Sequence, residues 1–497
     1  MVAYLLALDE GTTSARTVLY DDTGRRLAMQ SVPLPSSYPS PGWVNQDAEV
    51  IWSAQLQSAR AVLASAPGSI HALGVTNQRE TTIVWDRRTG QAVAPAIVWQ
   101  CRRTADFCRE LAGTSAELIA RKTGLVVDAY FSGSKLKWIL DNVHDARSRA
   151  RDGELLFGTV DTWLIWKLTN GRHHVTDDSN ASRTMLMNIG TGDWDQELLR
   201  LFDVPAAMLP QIVRSSEVVG TTSPEHLGAE IPIAGIAGDQ QAALAGQACF
   251  RPGLSKNTYG TGCFVLMHTG ATQPFSSNQL LATRAASTSS EPAFAVEGSI
   301  FVAGAAVQWL RDRLRLVTNS AESEAVARSV PDTAGVYVVP AFVGLGAPHW
   351  DAAARGTITG MTLGTTREHI VRATLESIAY QTRELIDCMQ ADSGKRLEEL
   401  RVDGGASAND FLMQFQADIL GTRIVRPADT ETTALGAAYL AGLATGVWKN
   451  TNELESLWAR ERVFEPQMDA GRREELFTGW KQAVRQARMQ DAGRASA

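Results

Sequence analysis

The sequence predicts an α/β protein built from two related halves. Apolar runs typical of buried strands alternate with amphipathic, helix-like segments over most of the chain. At 497 residues the chain exceeds the size at which one hydrophobic core keeps growing, so two large domains are expected. A pattern of strand, Gly-Thr turn and strand occurs near the N-terminus and again at residues 254–267, which indicates a duplicated domain. We predict domains of residues 1–249 and 250–497.

The composition excludes several classes of protein. The formal net charge of −7 at pH 7 argues against a surface for nucleic acid or anionic membrane. The 5 cysteines form no C-x-x-C pair and are odd in number, so we expect reduced thiols. The first residues lack a basic segment, and no apolar stretch reaches the roughly 18 residues of a membrane span. We therefore expect a cytoplasmic protein without a signal peptide.

Several helices are predicted from apolar residues at helical spacing. Three of them begin after capping residues, which are Asp47, Thr365 with Glu368, and Ser407 with Asp410. An Ala-rich segment, residues 433–445, is expected to be helical and to end at Gly446. The tail after Asp469 is predicted to form a surface helix that frays.

The connection between the first two predicted strands, residues 9–16, is the most informative segment. It contains a carboxylate (Asp9), a glycine, three hydroxyls and a guanidinium (Arg16), whereas a plain hairpin needs only about two to five turn residues. Hydroxyl and backbone N–H groups can donate to phosphate oxygens, and an Asp can hold Mg²⁺. The segment therefore indicates either a nucleotide-phosphate loop or an ordinary polar loop. The second Gly-Thr turn, Gly260-Thr261-Gly262, suggests a phosphate loop in each half.

Three strand–helix junctions are further candidates. Asp239 follows an apolar strand and Gly238, where open α/β sheets place their ligands, so it is either a base for a substrate hydroxyl or a helix N-cap. The second junction, Asp403-Gly404-Gly405, would let a nucleotide approach the backbone, although such sequences are also common in turns. Residues 298–308 form a third helix entry of small residues.

Four polar and aromatic residues suggest an alcohol-binding cleft. Arg79 and Glu80 are adjacent, and they either belong to a charged surface or supply donors and an acceptor for the hydroxyls of a polyol. Trp99 offers an aromatic face to a small carbon skeleton or belongs to the core. The Tyr130 hydroxyl needs a hydrogen-bond partner if it is buried.

Together these segments resemble the FGGY family of carbohydrate kinases over nearly the whole chain. Residues 130–138 resemble the first family signature, and residues 360–376 resemble the second. The segments 77–82, 99–103, 157–163, 180–184 and 238–241 are similar to members that phosphorylate glycerol rather than to xylulose- or gluconate-type members.

The resemblance implies two ribonuclease-H-like domains of the actin and sugar-kinase type, with an interdomain active-site cleft that closes on glycerol and ATP with Mg²⁺. It implies Asp239 as the general base, Asp9 with Asp239 at Mg²⁺, and a homodimer or homotetramer. The residues implied at glycerol are Arg79, Glu80, Trp99, Tyr130, Asp239, Gln240 and Phe264. The residues implied at the nucleotide are Thr12, Thr13, Ser14, Arg16, Thr261, Gly262, Gly304, Gln308, Gly405 and Asn409.

Two features depart from the family pattern. Glu10 stands where many relatives carry Gln, and it adds negative charge beside the predicted phosphate site. The loop of residues 220–230 lacks the Gly-rich basic stretch that binds fructose 1,6-bisphosphate in enterobacterial relatives. His226 in that loop lacks the aromatic neighbours of the phosphorylated histidine in other relatives. We therefore expect neither form of regulation. The alternatives for function are a kinase for another polyol or ketose, and a non-enzymatic sensor on the same fold.

Overall fold

The computed structural model describes residues 2–351 and 353–488. The strands are β1 (Tyr4–Glu10), β2 (Ser14–Tyr20), β3 (Arg26–Pro33), β4 (Asn45–Gln46), β5 (Ile70–Asn77), β6 (Ile83–Asp86), β7 (Ala96–Ile97), β8 (Leu155–Gly158), β9 (Val175–Asp177), β10 (Met187–Asn188), β11 (Asp193–Trp194), β12 (Gln211–Val213), β13 (Ser216–Thr221), β14 (Pro232–Gly238), β15 (Leu254–Tyr259), β16 (Cys263–Gly270), β17 (Leu281–Arg284), β18 (Phe294–Ile300), β19 (Tyr337–Val339), β20 (Thr357–Thr359), β21 (Glu399–Asp403), β22 (Ile424–Pro427) and β23 (Arg460–Phe464).

The helices alternate with these strands. They are α1 (Ala48–Leu63), α2 (Ala105–Thr123), α3 (Ser132–Asn142), α4 (Ala146–Arg151), α5 (Val160–Leu168), α6 (Asp178–Ala181), α7 (Gln196–Phe202), α8 (Pro224–Leu227), α9 (Asp239–Gly246), α10 (Gly304–Asp312), α11 (Glu322–Arg328), α12 (Arg367–Ser393), α13 (Asp410–Leu420), α14 (Thr432–Ala444), α15 (Thr451–Leu457) and α16 (Ala470–Arg488). None of the helices in the described ranges is both long enough and apolar enough to span a bilayer.

Two large sheets repeat one arrangement, and this confirms the predicted duplication. The first sheet has the order β13-β14-β5-β1-β2-β3, and the second has the order β17-β18-β16-β15-β21-β22-β23. β1 in the first sheet pairs antiparallel with β2 and parallel with β5, which follows α1. In the same way, β15 in the second sheet pairs antiparallel with β16 and parallel with β21, which follows α12. The two Gly-Thr turns therefore occupy equivalent positions, at the ends of the β1–β2 and β15–β16 hairpins. The α/β class is confirmed.

Helix α14 comes from the second half of the chain but covers the first sheet. Its Ala434, Ala437 and Ala441 pack with Leu5 and Ala7 of β1 in one apolar cluster. Glycines allow it to lie very close to α9. A Cβ atom on Gly436 would lie 1.8 Å from the Ala242 carbonyl oxygen, and one on Gly246 would lie 1.9 Å from that of Thr432. The two halves therefore share part of a hydrophobic core.

The predicted helix starts are confirmed in one case and need correction in two. Asp47 precedes α1, and its Oδ1 accepts a hydrogen bond from the Glu49 backbone N–H at 2.8 Å. The capping residue of α12 is Thr366, paired with His369, and not Thr365 with Glu368. Asn409 caps α13 instead of Ser407 because a short 3₁₀ turn, Gly405–Ala408, occupies the residues before the helix.

The two C-terminal predictions have different outcomes. Residues 432–444 form α14 as expected, and Gly446 follows it with a positive φ of 75°. The helix predicted after Asp469 is confirmed as α16, and most of its residues are exposed, but Phe477, Trp480 and Val484 on one face are buried in the core of the second half. Apolar residues at helical spacing fix this helix to the domain. The remaining predicted tail, residues 489–497, lies outside the described residues.

Candidate active site

The first predicted phosphate loop is a turn fixed by its own backbone. The Gly11 N–H donates to the Ser14 carbonyl at 3.0 Å, and the Leu34 N–H donates to the Thr13 carbonyl at 2.9 Å. Thr13 is exposed, whereas Thr12 and Ser14 are half-buried. The loop therefore presents hydroxyl groups to solvent from a backbone that is already ordered.

Asp9 and Arg16 flank this turn on paired strands. The Arg16 Nη1 atom lies 3.7 Å from Asp9 Oδ2, and Arg16 also donates to the Glu431 carboxylate at the start of α14. Burial raises the pKa of Asp9 to about 7, although the Arg16 guanidinium lowers it. A buried carboxylate whose proton affinity is raised in this way is stabilised by a nearby cation. The chemistry of Asp9 therefore fits a Mg²⁺ ligand.

Glu10 points away from Asp9 because successive side chains on a strand alternate between faces. Leu6 and Leu8, which share its face, pack with the α1 side of the sheet. Glu10 is fully buried there, and its Oε2 accepts a hydrogen bond from Gln78 Nε2 at 3.2 Å. Burial raises its pKa well above the usual value. The Glu10 carboxyl group therefore lies on the sheet face opposite Asp9.

Arg79 and Glu80 follow β5 and are buried, which contradicts the alternative of a charged surface. Arg79 donates from Nη1 to Glu297 Oε2 at 2.5 Å and from Nη2 to Glu297 Oε1 at 3.0 Å. Its Nε lies 3.2 Å from Asp239 Oδ1. Glu80 adopts a positive φ of 60°, a strained backbone conformation for this residue type that is typical of functional sites.

Arg183 completes this buried ion cluster. Its Nε donates to Glu80 Oε1 at 2.7 Å, and its Nη2 donates to Glu297 Oε1 at 3.1 Å. Burial would raise the pKa of Glu297, but the guanidinium groups of Arg183 and Arg79 outweigh it and lower the pKa to about 2. Burial raises the pKa of Glu80 even with the same two arginines beside it. Glu297 therefore accepts hydrogen bonds from both arginines, whereas Glu80 accepts from Arg183 alone.

Aromatic side chains connect this cluster to the first loop. The Tyr130 hydroxyl accepts a hydrogen bond from Arg79 Nη2 at 3.3 Å, which supplies the partner that the sequence required. The Trp99 ring meets the Tyr130 ring edge-on, with centroids 5.5 Å apart. Trp99 Nε1 donates to Thr12 Oγ1 at 2.9 Å. The candidate alcohol-binding residues and a candidate phosphate-binding residue thus belong to one contact network.

Asp239 is the first residue of α9, and Gly238 is the N-cap, so the N-cap interpretation of Asp239 is wrong. Its side chain is 33% exposed, in contrast to the fully buried charges around it. Oδ1 accepts the Gln240 backbone N–H at 2.7 Å and lies beside Arg79, which leaves Oδ2 for other partners. The Gln240 side chain accepts a hydrogen bond from Lys256 of β15. The start of α9 therefore contacts the second sheet.

The second Gly-Thr turn is tied to the start of α10. The Thr261 carbonyl accepts hydrogen bonds from the Ala303 and Ala305 N–H groups at 2.9 and 3.1 Å. A Cβ atom on Gly304 would lie 2.5 Å from the Gly260 carbonyl, and one on Gly262 would lie 2.2 Å from that of Ile300. Both positions therefore require glycine.

The remaining predicted residues lie around that turn. Gln308 is exposed about one helical turn after Gly304. Phe264 is half-buried on β16, opposite Thr258 in the strand register. Gly405 is exposed, and Asn409 caps α13 by accepting the Leu412 N–H at 2.9 Å. The Asp403-Gly404-Gly405 junction packs against the end of β15, because a Cβ atom on Gly404 would lie 2.5 Å from the Tyr259 carbonyl.

Comparison with known protein families identifies the family of this chain. Residues 4–246 match the N-terminal domain of the FGGY family of carbohydrate kinases, and residues 255–445 match its C-terminal domain. The chain belongs to the FGGY family of carbohydrate kinases.

Full-length relatives refine the comparison for this FGGY chain. It is 59% identical to glycerol kinase 2 of Thermotoga maritima, over 97% of this chain and 98% of that protein. It is 58% identical to the glycerol kinase of Polaromonas naphthalenivorans, over 98% and 99% of the two chains. Among solved structures, Plasmodium falciparum glycerol kinase with ADP superimposes with a TM-score of 0.95 at 36% identity, covering 98% of this chain and 99% of that one. Xylulose kinase from Lactobacillus acidophilus, at 21% identity and a TM-score of 0.88, shares the fold. The two domains thus have the actin and sugar-kinase fold.

Sequence reasoning missed three buried charges of the FGGY site. They are Arg183, Glu297 and Lys256, each almost or fully inaccessible to solvent. Arg183 lies within a segment that already resembled the family, so that segment was the available signal. Lys256 lies in β15 and Glu297 in β18, two strands whose residues are almost all buried. A charged residue in a buried strand was the signal that could have identified both.

The metal-binding capacity of the FGGY site is modest. Among the described residues, no group of three or more His, Cys, Asp or Glu side chains is arranged to hold a metal ion. Asp9 and Asp239 are the two carboxylates that the family resemblance implies at the ion, and the charge of Asp239 contributes to the raised pKa of Asp9. This sparse set fits Mg²⁺, which proteins commonly bind through one or two carboxylates together with water and substrate phosphates.

Proposed function

We propose that this FGGY kinase transfers the γ-phosphoryl group of ATP to a terminal hydroxyl of glycerol, giving sn-glycerol 3-phosphate and ADP. The observation that carries the proposal is one line of contacts that joins a candidate base to the first phosphate loop, through Asp239, Arg79, Tyr130, Trp99 and Thr12. The full-length similarity to the glycerol kinases of Thermotoga maritima and Plasmodium falciparum supports the choice of glycerol.

The proposed alcohol site combines polar and aromatic groups. Arg79, Glu80 and Tyr130 would hydrogen-bond the hydroxyl groups of glycerol, with Gln240 assisting at the start of α9. Trp99 and Phe264 would contact its carbon atoms. The exposed carboxylate of Asp239 and the buried carboxylate of Glu80 favour a neutral polyol over an anionic sugar acid, because like charges repel at short range.

Asp239 would act as the general base. Its Oδ1 accepts the Gln240 N–H and lies beside Arg79, so Oδ2 would accept the proton of the attacking hydroxyl. As that proton leaves, the hydroxyl oxygen forms a bond to the γ-phosphorus and the bond to the β–γ bridging oxygen breaks. A positioned base of this kind contributes roughly 10²–10⁴-fold to the rate. Closure of the cleft would exclude water and limit hydrolysis of ATP.

The nucleotide would be held from both halves. Thr12, Thr13, Ser14 and Arg16 would contact the phosphates from one side, and Thr261 with Gly262 from the other. Gly304, Gln308, Gly405 and Asn409 would line the rest of the nucleotide site. Asp9 and Asp239 would hold Mg²⁺, largely through water, and the ion would supply charge neutralisation for the phosphates.

Three broader statements belong to the same proposal. We propose that the protein works in the cytoplasm as a homodimer or homotetramer, and that the domain boundary lies between residues 249 and 250. The location rests on the cysteine pattern of the sequence, and the oligomeric state rests on the family resemblance. The third is supported by the two sheets, which are formed from residues 4–238 and 254–464.

A coupled assay of ADP release tests the proposed function. The purified protein is assayed with ATP, Mg²⁺ and separately with glycerol, xylulose, ribulose and gluconate. We expect turnover with glycerol and little or none with the other three. Strong turnover of a pentulose without turnover of glycerol would contradict the substrate, and absence of turnover with every acceptor would indicate a sensor.

A further inference from the structure

Glu297 is a buried carboxylate of the second half that binds two arginines of the first half. It lies on β18 and has no solvent exposure. Both of its oxygens accept from Arg79, at 2.5 and 3.0 Å, and Oε1 also accepts from Arg183 Nη2 at 3.1 Å. Arg79 is 2% exposed and Arg183 is fully buried.

The geometry of this contact fixes the plane of the Arg79 guanidinium. A carboxylate that accepts from two nitrogens of a guanidinium sets both its direction and its plane. With Nη1 and Nη2 held by Glu297, the Nε atom of Arg79 lies 3.2 Å from Asp239 Oδ1 as an ion pair, without a hydrogen bond. Nη2 remains within 3.3 Å of the Tyr130 hydroxyl. The position of Arg79 in the proposed alcohol site therefore depends on a residue of the opposite sheet.

Strand register places Glu297 on the face of the second sheet that is directed at the start of α9. Glu297 of β18 lies opposite Leu266 of β16, and Leu266 lies opposite Lys256 of β15. Side chains directly opposite each other in a sheet share a face. Lys256 contacts Gln240, next to Asp239, so this face is directed at the start of α9.

Stability is a weak explanation for this arrangement. Removing two or more charges from water costs several kcal/mol each, and buried ion pairs often contribute little net stability compared with apolar residues of the same size. We therefore attribute this buried cluster of two arginines and two glutamates to binding rather than to stability.

We propose that Glu297 is the positioning residue for alcohol binding: it orients Arg79 from the second half and thereby sets the affinity for the alcohol substrate. The inference rests on the proposed function, because it takes Arg79 as an alcohol-binding residue. Glu297 has no direct contact with substrate in this scheme. The alcohol site in this scheme is built from residues of both halves, with Glu297 contributed by β18.

The test is Glu297→Gln in the full-length protein. Gln preserves the size of the side chain but replaces one acceptor oxygen with an NH₂ donor, so one nitrogen of Arg79 must turn away. We expect KM for glycerol to rise by at least about tenfold, as is typical when a charged group loses a hydrogen bond. KM for ATP should stay within about twofold, and kcat should fall less than kcat/KM.

Glu399→Gln is the matched control. Glu399 is also a buried glutamate of the second sheet that binds two arginines, accepting from Arg401 at 2.7 Å and from Arg423 at 3.0 Å. It lies on β21, away from Arg79. We expect a lower melting temperature for both variants but an unchanged KM for glycerol in Glu399→Gln. An unchanged KM in Glu297→Gln, or equal increases for glycerol and ATP, would overturn the proposal.

A second variant covers the case in which Glu297→Gln does not fold. Glu297→Asp keeps the negative charge beside both arginines but shortens the side chain by one methylene, so the carboxylate can no longer hold both Nη atoms of Arg79 in the same plane. The same split between KM for glycerol and KM for ATP is expected, and its absence would overturn the inference. The wild-type acceptor panel separates this outcome from failure of the proposed function. If the wild type uses another acceptor, the same comparison is made with that acceptor.

Discussion

Asp9 and Arg16 lie directly opposite each other on β1 and β2, with Arg16 Nη1 3.7 Å from Asp9 Oδ2. Burial raises the pKa of Asp9 to about 7, and Arg16 opposes that rise. Protons therefore compete with a metal ion for Asp9 near neutral pH. The pH dependence of the proposed kinase should therefore depend on both residues.

Removing the Arg16 charge should move the acid limb of the activity profile to higher pH. In the wild type we expect kcat/KM for ATP with Mg²⁺ to fall as the pH drops below about 7, because Asp9 becomes protonated. Arg16→Ala removes the group that lowers the Asp9 pKa, so the midpoint should rise, in addition to any loss of activity. Arg16→Lys retains the charge and should shift the midpoint less. Equal midpoints in all three proteins would contradict the role of Arg16.

Asp239→Asn should abolish most of the activity while preserving the fold. Asn can accept the Gln240 N–H through Oδ1, as Asp239 does at 2.7 Å, but it cannot take the substrate proton. We expect kcat to fall by roughly 10²–10⁴-fold with a melting temperature close to that of the wild type. Rapid-quench measurement of a single turnover identifies the affected step. A variant with wild-type kcat would exclude Asp239 as the base.

Glu10→Gln should stabilise the protein at alkaline pH. Glu10 is fully buried and its pKa is raised, so the folded state binds a proton more tightly than the unfolded state does. Stability is therefore lost as the pH rises from the unfolded value of about 4.3 through the folded one. Gln retains an acceptor for Gln78 without the charge. We expect a gain of roughly 1 kcal/mol or more at pH 8 in urea unfolding, which shrinks at pH 5.

Asp21→Asn provides a control of opposite sign for that experiment. The pKa of Asp21 is lowered by hydrogen bonds from Thr23 and Arg25, which outweigh the effect of burial. Stability from Asp21 is present above its unfolded pKa and is lost as the pH falls. Asp21→Asn should therefore destabilise the protein at pH 8. A gain in that variant, or no gain in Glu10→Gln, would contradict the electrostatic argument.

Gly436→Ala should separate α14 from α9. The new Cβ atom would lie 1.8 Å from the Ala242 carbonyl oxygen, so backbone must move. We expect a loss of several kcal/mol, or insoluble protein, in thermal and urea unfolding. Gly113→Ala is the matched substitution in α2, where a Cβ atom meets nothing within 4 Å. That variant should gain about 0.5–1 kcal/mol from helix propensity. A stable Gly436→Ala protein would mean that the helices are not in contact.

Local features of the fold were predictable from the sequence, because they depend on neighbouring residues. The two hairpins with Gly-Thr turns, the strand before Asp239 and the cap at Asp47 follow from spacing and turn chemistry. The starts of α12 and α13 were misplaced because Thr365 and Ser407 are equally good caps in the sequence, and only the path of the chain selects Thr366 and Asn409.

The long-range partners of the site were not predictable. Arg79 and Glu80 were identified from the sequence, but their partner Glu297 was not, because it lies 218 positions from Arg79 in the chain. A buried glutamate in a strand breaks the apolar pattern, but the sequence does not indicate which residue it pairs with. The face on which Glu10 lies also required the structure, since α1 and α14 cover opposite sides of β1.

The position of α14 has a consequence for synthesis of the protein on the ribosome. Leu5, Ala7 and Val18 emerge first, but the helix that covers them ends at Ala444. One apolar face of the first sheet therefore stays exposed to solvent until most of the chain has been synthesised. Such a nascent chain is expected to need protection by chaperones and to complete its folding only late in elongation or after release.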